Sequence, residues 1–234
     1  MATFLEICQN VALESGTIST PETPASVVDQ DGRLSKVVSW TVQAYNRIQL
    51  LHHDWLWLRG EFTGQTIAGV RAYDSAAMSI ATRFSHWIKP CGSKSPMTYF
   101  LTASGQAEER RIKVMEWDDF YSKYRIGAAE TETGAPSVVT IDPQQRLQFH
   151  PIPDSIYTIR GHYYKSPQVL ASDAEVPEMP AQFHDMIKWK ALMLLAQFDE
   201  GFEVMPHYKY NYDELETPLL NLQHPSMKIG GTLA

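Results

Sequence analysis

Apolar side chains at the amino terminus recur with the period of a helix. Residues 3–15 are predicted to form a first helix that ends at Gly16, and Thr3 followed by Glu6 matches a capping box. A loop rich in proline, serine and threonine is expected over 17–31. The apolar side of the first helix contains Phe4, Cys8 and Val11.

Residues 34–53 predict a longer amphipathic helix, because its apolar positions fall alternately three and four residues apart. The predicted buried stripe consists of Leu34, Val38, Thr41, Tyr45, Ile48 and His52, widened by Val37 and Leu51.

From Trp55 the period changes from helical to alternating, which is typical of a β-strand. Trp55, Trp57 and Arg59 are predicted on one side of that strand, with Leu56 and Leu58 on the other.

Short strands separated by turns are predicted beyond that point, with glycines 60, 64 and 69 as interruptions. Residues 142–145 predict a hairpin turn, because Pro143 presets the backbone between two apolar runs. A short helix at 116–124 is expected to bring Trp117, Phe120 and Tyr124 together. The further predicted strands are 83–88, 97–101, 111–115, 138–141, 146–150 and 155–164.

A long helix is predicted after Pro180, running to about Glu200 and closed by Gly201. Apolar residues occupy so much of its circumference that it must be covered on two sides, and a second copy of the chain is expected on one of them. The two stripes are Phe183, Ile187, Ala191, Leu194 and Phe198, and Met186, Trp189, Met193 and Ala196.

The last predicted helix spans 206–222 and is expected to break or kink near Pro218. Residues 223–234 are expected to form a mobile tail. The apolar stripe of this helix contains Tyr208, Tyr212, Leu215, Leu219 and Leu222.

These elements predict an α+β fold in which the terminal helices form a bundle and an antiparallel β-rich lobe is inserted between them. The predicted helical domain is 1–54 with 177–222, and the predicted β-rich domain is 55–176. Residues 223–234 are predicted to lie outside both domains as the mobile tail.

Composition restricts the function. The chain has 234 residues, 44% of them hydrophobic and 20% charged, with a formal net charge of −7. This balance argues against a dedicated nucleic-acid binder, although it would suit a surface past which DNA slides. Solubility alone also explains a mildly acidic surface. Cys8 and Cys91 lack the spacing of a disulfide framework or metal site, and we expect neither a signal peptide nor a membrane span.

Catalytic motifs are weak in this sequence, and we expect no enzyme, cofactor or metal. His52 and His53 are neighbours that diverge by about 100° on a helix, so they are poorly placed to chelate one ion. Asp118 and Asp119 are adjacent, whereas glycoside hydrolysis requires carboxyl groups facing each other across a substrate. A helix start explains that acidic pair better.

The aromatic residues have three possible roles. Tyr208, Tyr210 and Tyr212 could fill an intermolecular interface, stack against a sugar or belong to an ordinary core. The same alternatives hold for the cluster of Trp55, Trp57, Tyr163 and Tyr164.

The order of several motifs resembles the portal-adaptor, or head-to-tail connector, family of tailed bacteriophages. The resemblance covers nearly the whole chain to about residue 222 and is weakest over 69–94. It rests on Phe4 to Gly16, Val37 to Gln49, Asp54 to Arg59, Trp117 to Phe120, Gly134 to Pro136, Leu147 to Phe149, Pro151 to Tyr164, Pro167, Leu170 and Pro180 to His184.

The resemblance implies a structural virion protein of the neck, assembled in the host cytoplasm as a ring, with a dodecamer expected. Its implied neighbours are other copies, the portal protein and tail-tube, nozzle or fibre proteins, while double-stranded DNA passes through the lumen without specific binding and no membrane is contacted. A tail-completion or nozzle protein is the alternative, and a glycan-binding or glycan-cleaving β module is a third. The candidate partner-binding residues are Tyr208, Tyr212, Leu219, Leu222, Met227 and Leu233.

Overall fold

A computed structural model describes residues 1–16, 23–52, 54–89 and 95–223 of the chain. It has two compact units: residues 1–58 with 167–234, here called the helical domain, and residues 59–166, here called the β domain. The fold is α+β, as predicted. The inserted unit is shorter than the predicted 55–176, because the segment from residue 167 onwards packs with the helices.

Helix α1 (Phe4–Glu14) begins with the predicted capping box. The Glu6 amide donates to Thr3 Oγ1 at 3.2 Å, and the Thr3 amide donates to the Glu6 carboxylate at 2.8 Å. Two of the amides that a helix start leaves without partners are therefore satisfied. The buried face contains Phe4, Ile7, Cys8, Val11 and Ala12.

Helix α2 (Gly32–Leu51) has the predicted period, but its buried face is rotated from the predicted stripe. Leu34 and Val38 are only half-buried, and Leu51 is exposed. His52 lies beyond the last helical residue as the cap. The contacts of α2 with α1 and α4 determine which face is buried, and the apolar period of one helix does not show where its neighbours lie. The buried residues are Val37, Thr41, Ala44, Tyr45, Ile48 and Gln49.

Helix α4 (His184–Phe198) is the central helix of the helical domain and contacts α1, α2 and α5. Its two apolar stripes are therefore covered largely within one chain, although Phe198 is exposed and Trp189 and Met193 are half-buried. Cover of one stripe by a second copy stays a prediction. The helix also ends at Phe198, before the predicted Glu200, and the Gly201 amide donates back to the Ala196 carbonyl at 2.9 Å.

Helix α5 (Met205–Gln223) continues through Pro218 without a break, so of the two predicted outcomes only a kink stays a prediction. A proline removes a single backbone hydrogen bond, and packing can maintain a helix across such a site. Leu219, the next residue, is fully buried and fastens the helix on the far side of the proline.

Residues 55–58 do not form the predicted strand. Leu56–Leu58 is a 3-10 turn, and the Trp55 indole Nε1 donates to the Gln49 carbonyl at 3.1 Å. The Trp55 and Trp57 rings stack with centroids 4.2 Å apart. This indole hydrogen bond and ring stacking hold the segment against the helical domain instead of extending it.

The β domain contains two larger sheets and one strand pair, mostly antiparallel. The first sheet has the order β1-β11-β4-β5, with β3 also paired to β11, and the second has the order β2-β9-β8-β6. Two pairings, β6 with β8 and β7 with β10, are parallel. The strands are β1 (Arg59–Gln65), β2 (Ala72–Tyr73), β3 (Phe84–Trp87), β4 (Thr98–Leu101), β5 (Arg110–Arg111), β6 (Lys113–Met115), β7 (Thr133–Gly134), β8 (Val138–Ile141), β9 (Leu147–His150), β10 (Ile152–Pro153) and β11 (Tyr157–Lys165).

One hydrophobic cluster of the β domain takes side chains from both larger sheets. Ile112 divides the predicted strand 111–115 into β5 and β6, because its fully buried side chain lies in that cluster while the chain passes from one sheet to the other. Phe62, Trp87 and Ile159 come from the first sheet, and Leu147 and Phe149 from the second.

The predicted hairpin is β8–β9, and its turn is organised by a buried carboxylate. Asp142 accepts hydrogen bonds from the amides of Gln144 and Arg146, at 3.0 and 2.9 Å. It also accepts from Arg146 Nε at 2.8 Å and from Gln148 Nε2 at 2.9 Å. Helix α3 (Trp117–Tyr124) brings its aromatic rings together as predicted.

Candidate functional site

A polar cleft of about 360 Å³ lies on the first sheet of the β domain. Strand register places Thr63 opposite Arg160, Arg160 opposite Thr98, and Thr98 opposite Arg111. Directly paired residues of antiparallel strands point to the same face, so these four side chains form a row across four strands. Glu61, Glu109 and His162 also line the cleft.

Glu109 is the most strongly held acid of this cleft. Thr98 Oγ1 and Gln106 Nε2 donate to its carboxylate, and Arg160 lies 3.5 Å away. The Thr98 hydrogen bond, helped by Gln106 and by the Arg160 charge, lowers the pKa of Glu109. Glu109 is therefore an ionised ion-pair partner at neutral pH, whereas a general acid requires a raised pKa.

Neither of the weak chemical motifs forms a site. Asp118 and Asp119 are exposed in the first turn of α3, where acidic side chains favour a helix start. His52 packs edge-on against Trp55, with ring centroids 5.0 Å apart, and His53 lies outside the described residues. Across the described ranges, no group of three or more His, Cys, Asp or Glu side chains could hold a metal ion.

The four candidate partner-binding residues that the structure describes do not form one exposed surface. Tyr208, Tyr212 and Leu219 are buried in the helical domain, where Tyr208 packs against Trp189 and the Lys190 ammonium lies over the Tyr212 ring. Burial raises the pKa of Tyr212. Leu222 is 49% exposed, and Met227 and Leu233 lie outside the described residues. A partner role for this set stays a prediction.

Residues 2–215 match the sequence model of the SU10 adaptor protein family. The chain belongs to the SU10 adaptor protein family. No curated protein matches the chain. Membership makes this chain a structural adaptor of a bacteriophage particle, which agrees in part with the resemblance stated above. In the described part of the adaptor, no helix is both long and apolar enough to cross a membrane.

The adaptor has an exposed apolar surface in the helical domain, which the sequence pattern did not predict. Phe198, Phe202 and Val204 surround the turn between α4 and α5, and Phe202 is 69% exposed. Trp40 and Lys36 of α2 flank Phe198, with the Trp40 centroid 5.4 Å and the Lys36 Nζ 3.9 Å from its ring centre. Apolar residues on both sides of Asp199, Glu200 and Glu203 are the sequence signal for this surface.

The β domain of the adaptor has an exposed apolar loop of its own. Ile67, Val70 and Ile156 are exposed, and the Gly69 amide donates to the Pro153 carbonyl at 2.8 Å. The buried Tyr73 hydroxyl contacts the Ile67 amide at 2.8 Å and the Ile67 and Val70 carbonyls at 3.0 and 2.9 Å. These contacts hold the loop in one conformation, which lowers the entropy lost on binding.

The charge of the adaptor is divided unequally between its domains. The helical domain has 7 Lys and Arg against 16 Asp and Glu, a net charge of −9. The β domain has 13 against 11, a net charge of +2. The acidic balance of the whole chain therefore belongs to the helical domain.

Proposed function

We propose that this adaptor forms a ring in the neck of the phage particle, between the portal of the head and the tail, and that DNA leaves the head through its lumen. The observation that supports this most is the family match over residues 2–215, which identifies the chain as a phage adaptor. The match does not specify how the adaptor assembles or what it contacts. We propose the ring, the portal and tail neighbours and the dodecamer.

Two exposed apolar surfaces support a role between several neighbours. The turn with Phe202 lies in the helical domain, and the loop with Ile67 lies in the β domain. Partly exposed aromatic side chains are typical of protein interfaces. Support for self-association comes from such surfaces, which include Phe198 at the end of α4, and less from the rest of that helix, which the same chain largely covers.

The charge distribution supports the passage of DNA. A surface with a net charge of −9 repels phosphates, so DNA would cross it without the tight binding that a basic surface produces. We assign the helical domain to the lumen wall on this ground.

Electron cryomicroscopy of particles with and without the adaptor tests the proposal. We expect a phage with a nonsense mutation in this gene to produce filled heads that lack tails, and wild-type particles to show a ring of adaptor density against the portal. Tailed, infectious particles from the mutant would contradict the proposal. Adaptor density only at the far end of the tail would instead identify a nozzle or tail-completion protein.

A further inference from the structure

We propose that neighbouring copies in the ring are joined by a contact between oppositely charged surfaces: the acidic turn of one copy and the basic edge of the next. The acidic turn is residues 199–204 of the helical domain, and the basic edge is Arg110, Arg111 and Lys113 of the β domain. This inference rests on the proposed ring and names the chemistry of its subunit interface.

The acidic turn presents two charges that no residue of the described ranges pairs with. Glu200 and Glu203 are exposed, and neither side chain has a hydrogen bond or ion pair with any described residue. Asp199, by contrast, is paired with Arg33. Phe202 is exposed and lies between the two glutamates in the sequence, and an aromatic residue with polar neighbours is typical of protein interfaces.

The backbone of Glu200 has a conformation that favours glycine. Its φ is +57°, in the left-handed region where glycine is favoured and a glutamate is strained. Glycine would fit the fold better, so the acidic side chain has a cost in stability.

The basic edge has the complementary character. Arg110, Arg111 and Lys113 are all exposed, and within the described ranges none of their side chains has an ion pair or hydrogen bond. They lie on β5 and β6, which are edge strands of the two larger sheets. Charges on an edge also discourage strand pairing between molecules, so their presence alone does not identify a partner.

A second copy fits this edge better than DNA does. Glu108 and Glu109 precede the basic residues directly, and their charges oppose a polyanion. The net charge of −9 on the helical domain of another copy supplies the complementary surface in every subunit. Because the two surfaces differ, the contact is head-to-tail, and such contacts form a ring when the rotation from one copy to the next closes.

Charge reversal on each side separately is the first part of the test. Variant A is Glu200→Lys with Glu203→Lys, and variant B is Arg110→Glu with Lys113→Glu; Arg111 stays because it lies beside Glu109 in the cleft. Each variant would supply the adaptor in a host infected with the nonsense-mutant phage. We expect each to lose at least about tenfold in infectious titre, because like charges then face each other at every interface. Glu214→Lys and Arg59→Glu, which reverse exposed charges elsewhere in the same domains, should leave the titre unchanged.

Expression of variants A and B together is the decisive part. When variants A and B alternate around the ring, Lys faces Glu at one interface and the original charges face each other at the next. We therefore expect the titre to recover. Native mass spectrometry of isolated necks should show equal amounts of variants A and B. Thermal unfolding of the purified variants checks their folding. Glu200→Gly with Glu203→Gln removes both charges and relieves the positive φ. We expect this variant to unfold at or above the wild-type temperature and still to lose titre.

The other outcomes overturn this contact. Losses that co-expression does not reverse would show that the two surfaces do not touch each other, and normal titres for A and B would show that neither lies at the interface. If variant B alone fails and also loses salt-dependent binding to a double-stranded DNA fragment, the basic edge is a DNA contact. A normal titre from the nonsense mutant without any adaptor would instead contradict the proposed function.

Discussion

Gly64 of β1 lies so close to Met78 that a Cβ on the glycine would fall 2.8 Å from both the Met78 Cα and Sδ. The strand was expected to be interrupted at this glycine, but Gly64 lies within the seven-residue strand β1 and is paired with Ile159. The glycine permits the close approach of a fully buried methionine and does not end the strand.

Gly64→Ala should therefore lower the free energy of unfolding by about 1–3 kcal/mol, because the Met78 backbone cannot move aside as a flexible side chain could. Chemical denaturation measures this change. Gly134→Ala is the matched control in the same domain, since its Cβ would meet only Pro151 at an ordinary 3.7 Å. Equal effects at both positions would contradict the packing argument.

Asp142→Asn should destabilise the β8–β9 hairpin. The carboxylate accepts from two amides, Arg146 Nε and Gln148 Nε2, and an amide side chain cannot accept all four of these bonds. We expect a loss of about 2–4 kcal/mol in the free energy of unfolding, because buried donors are left without partners. Glu61→Gln, on an exposed side chain of the same domain, should have little effect.

The acid dependence of stability should also change in that variant. Burial alone would raise the pKa of Asp142, but hydrogen bonds from Arg146 and Gln148 and the Arg146 charge outweigh it, so the pKa lies below the ordinary 3.8. A lowered pKa contributes stability that is complete above the unfolded pKa and disappears as pH falls through the folded pKa. Unfolding free energy measured between pH 5 and pH 2 (roughly the range in which carboxylates titrate) should fall less steeply for Asp142→Asn than for the wild type.

Tyr73→Phe should loosen the loop that carries Ile67 and Val70. The variant keeps the buried ring but removes the hydroxyl that contacts one amide and two carbonyls. We expect a loss of about 1–3 kcal/mol and faster amide hydrogen exchange at Ile67. Tyr121→Phe, at an exposed tyrosine of the same domain, should change neither quantity.

Cys8 should resist alkylation in the folded protein. Burial raises the pKa of this thiol to about 12, and the thiolate is the reactive form. Mass spectrometry after iodoacetamide treatment at pH 8 should find Cys8 unmodified in native protein and modified in urea. Rapid native labelling of Cys8 would show that α1 detaches from the helical domain.

Deletion of residues 223–234 tests the predicted role of the carboxyl-terminal tail. Since Tyr208, Tyr212 and Leu219 pack inside the helical domain, we expect the thermal unfolding midpoint to stay the same. Docking to the portal of purified heads should be lost if the tail makes that contact. Unchanged docking in a pull-down would refute this assignment.

The sequence determined the elements that depend on local chemistry. The Thr3 and Glu6 capping box, the hairpin at Asp142 and the short aromatic helix at 117–124 require only neighbouring residues, and the structure confirms all three. The α+β class also follows from periodicity alone.

Tertiary structure alone decided the remainder, because burial depends on residues distant in sequence. The spacing of apolar residues showed that α4 must be buried on two sides. Only the packing of α1, α2 and α5 showed that the same chain buries most of its surface. In the same way, Tyr208 and Phe202 are both aromatic residues near α5, yet one is buried and the other exposed. An apolar side chain favours burial wherever it lies in the sequence. The position of its neighbours in the fold determines whether the chain itself or a partner can bury it.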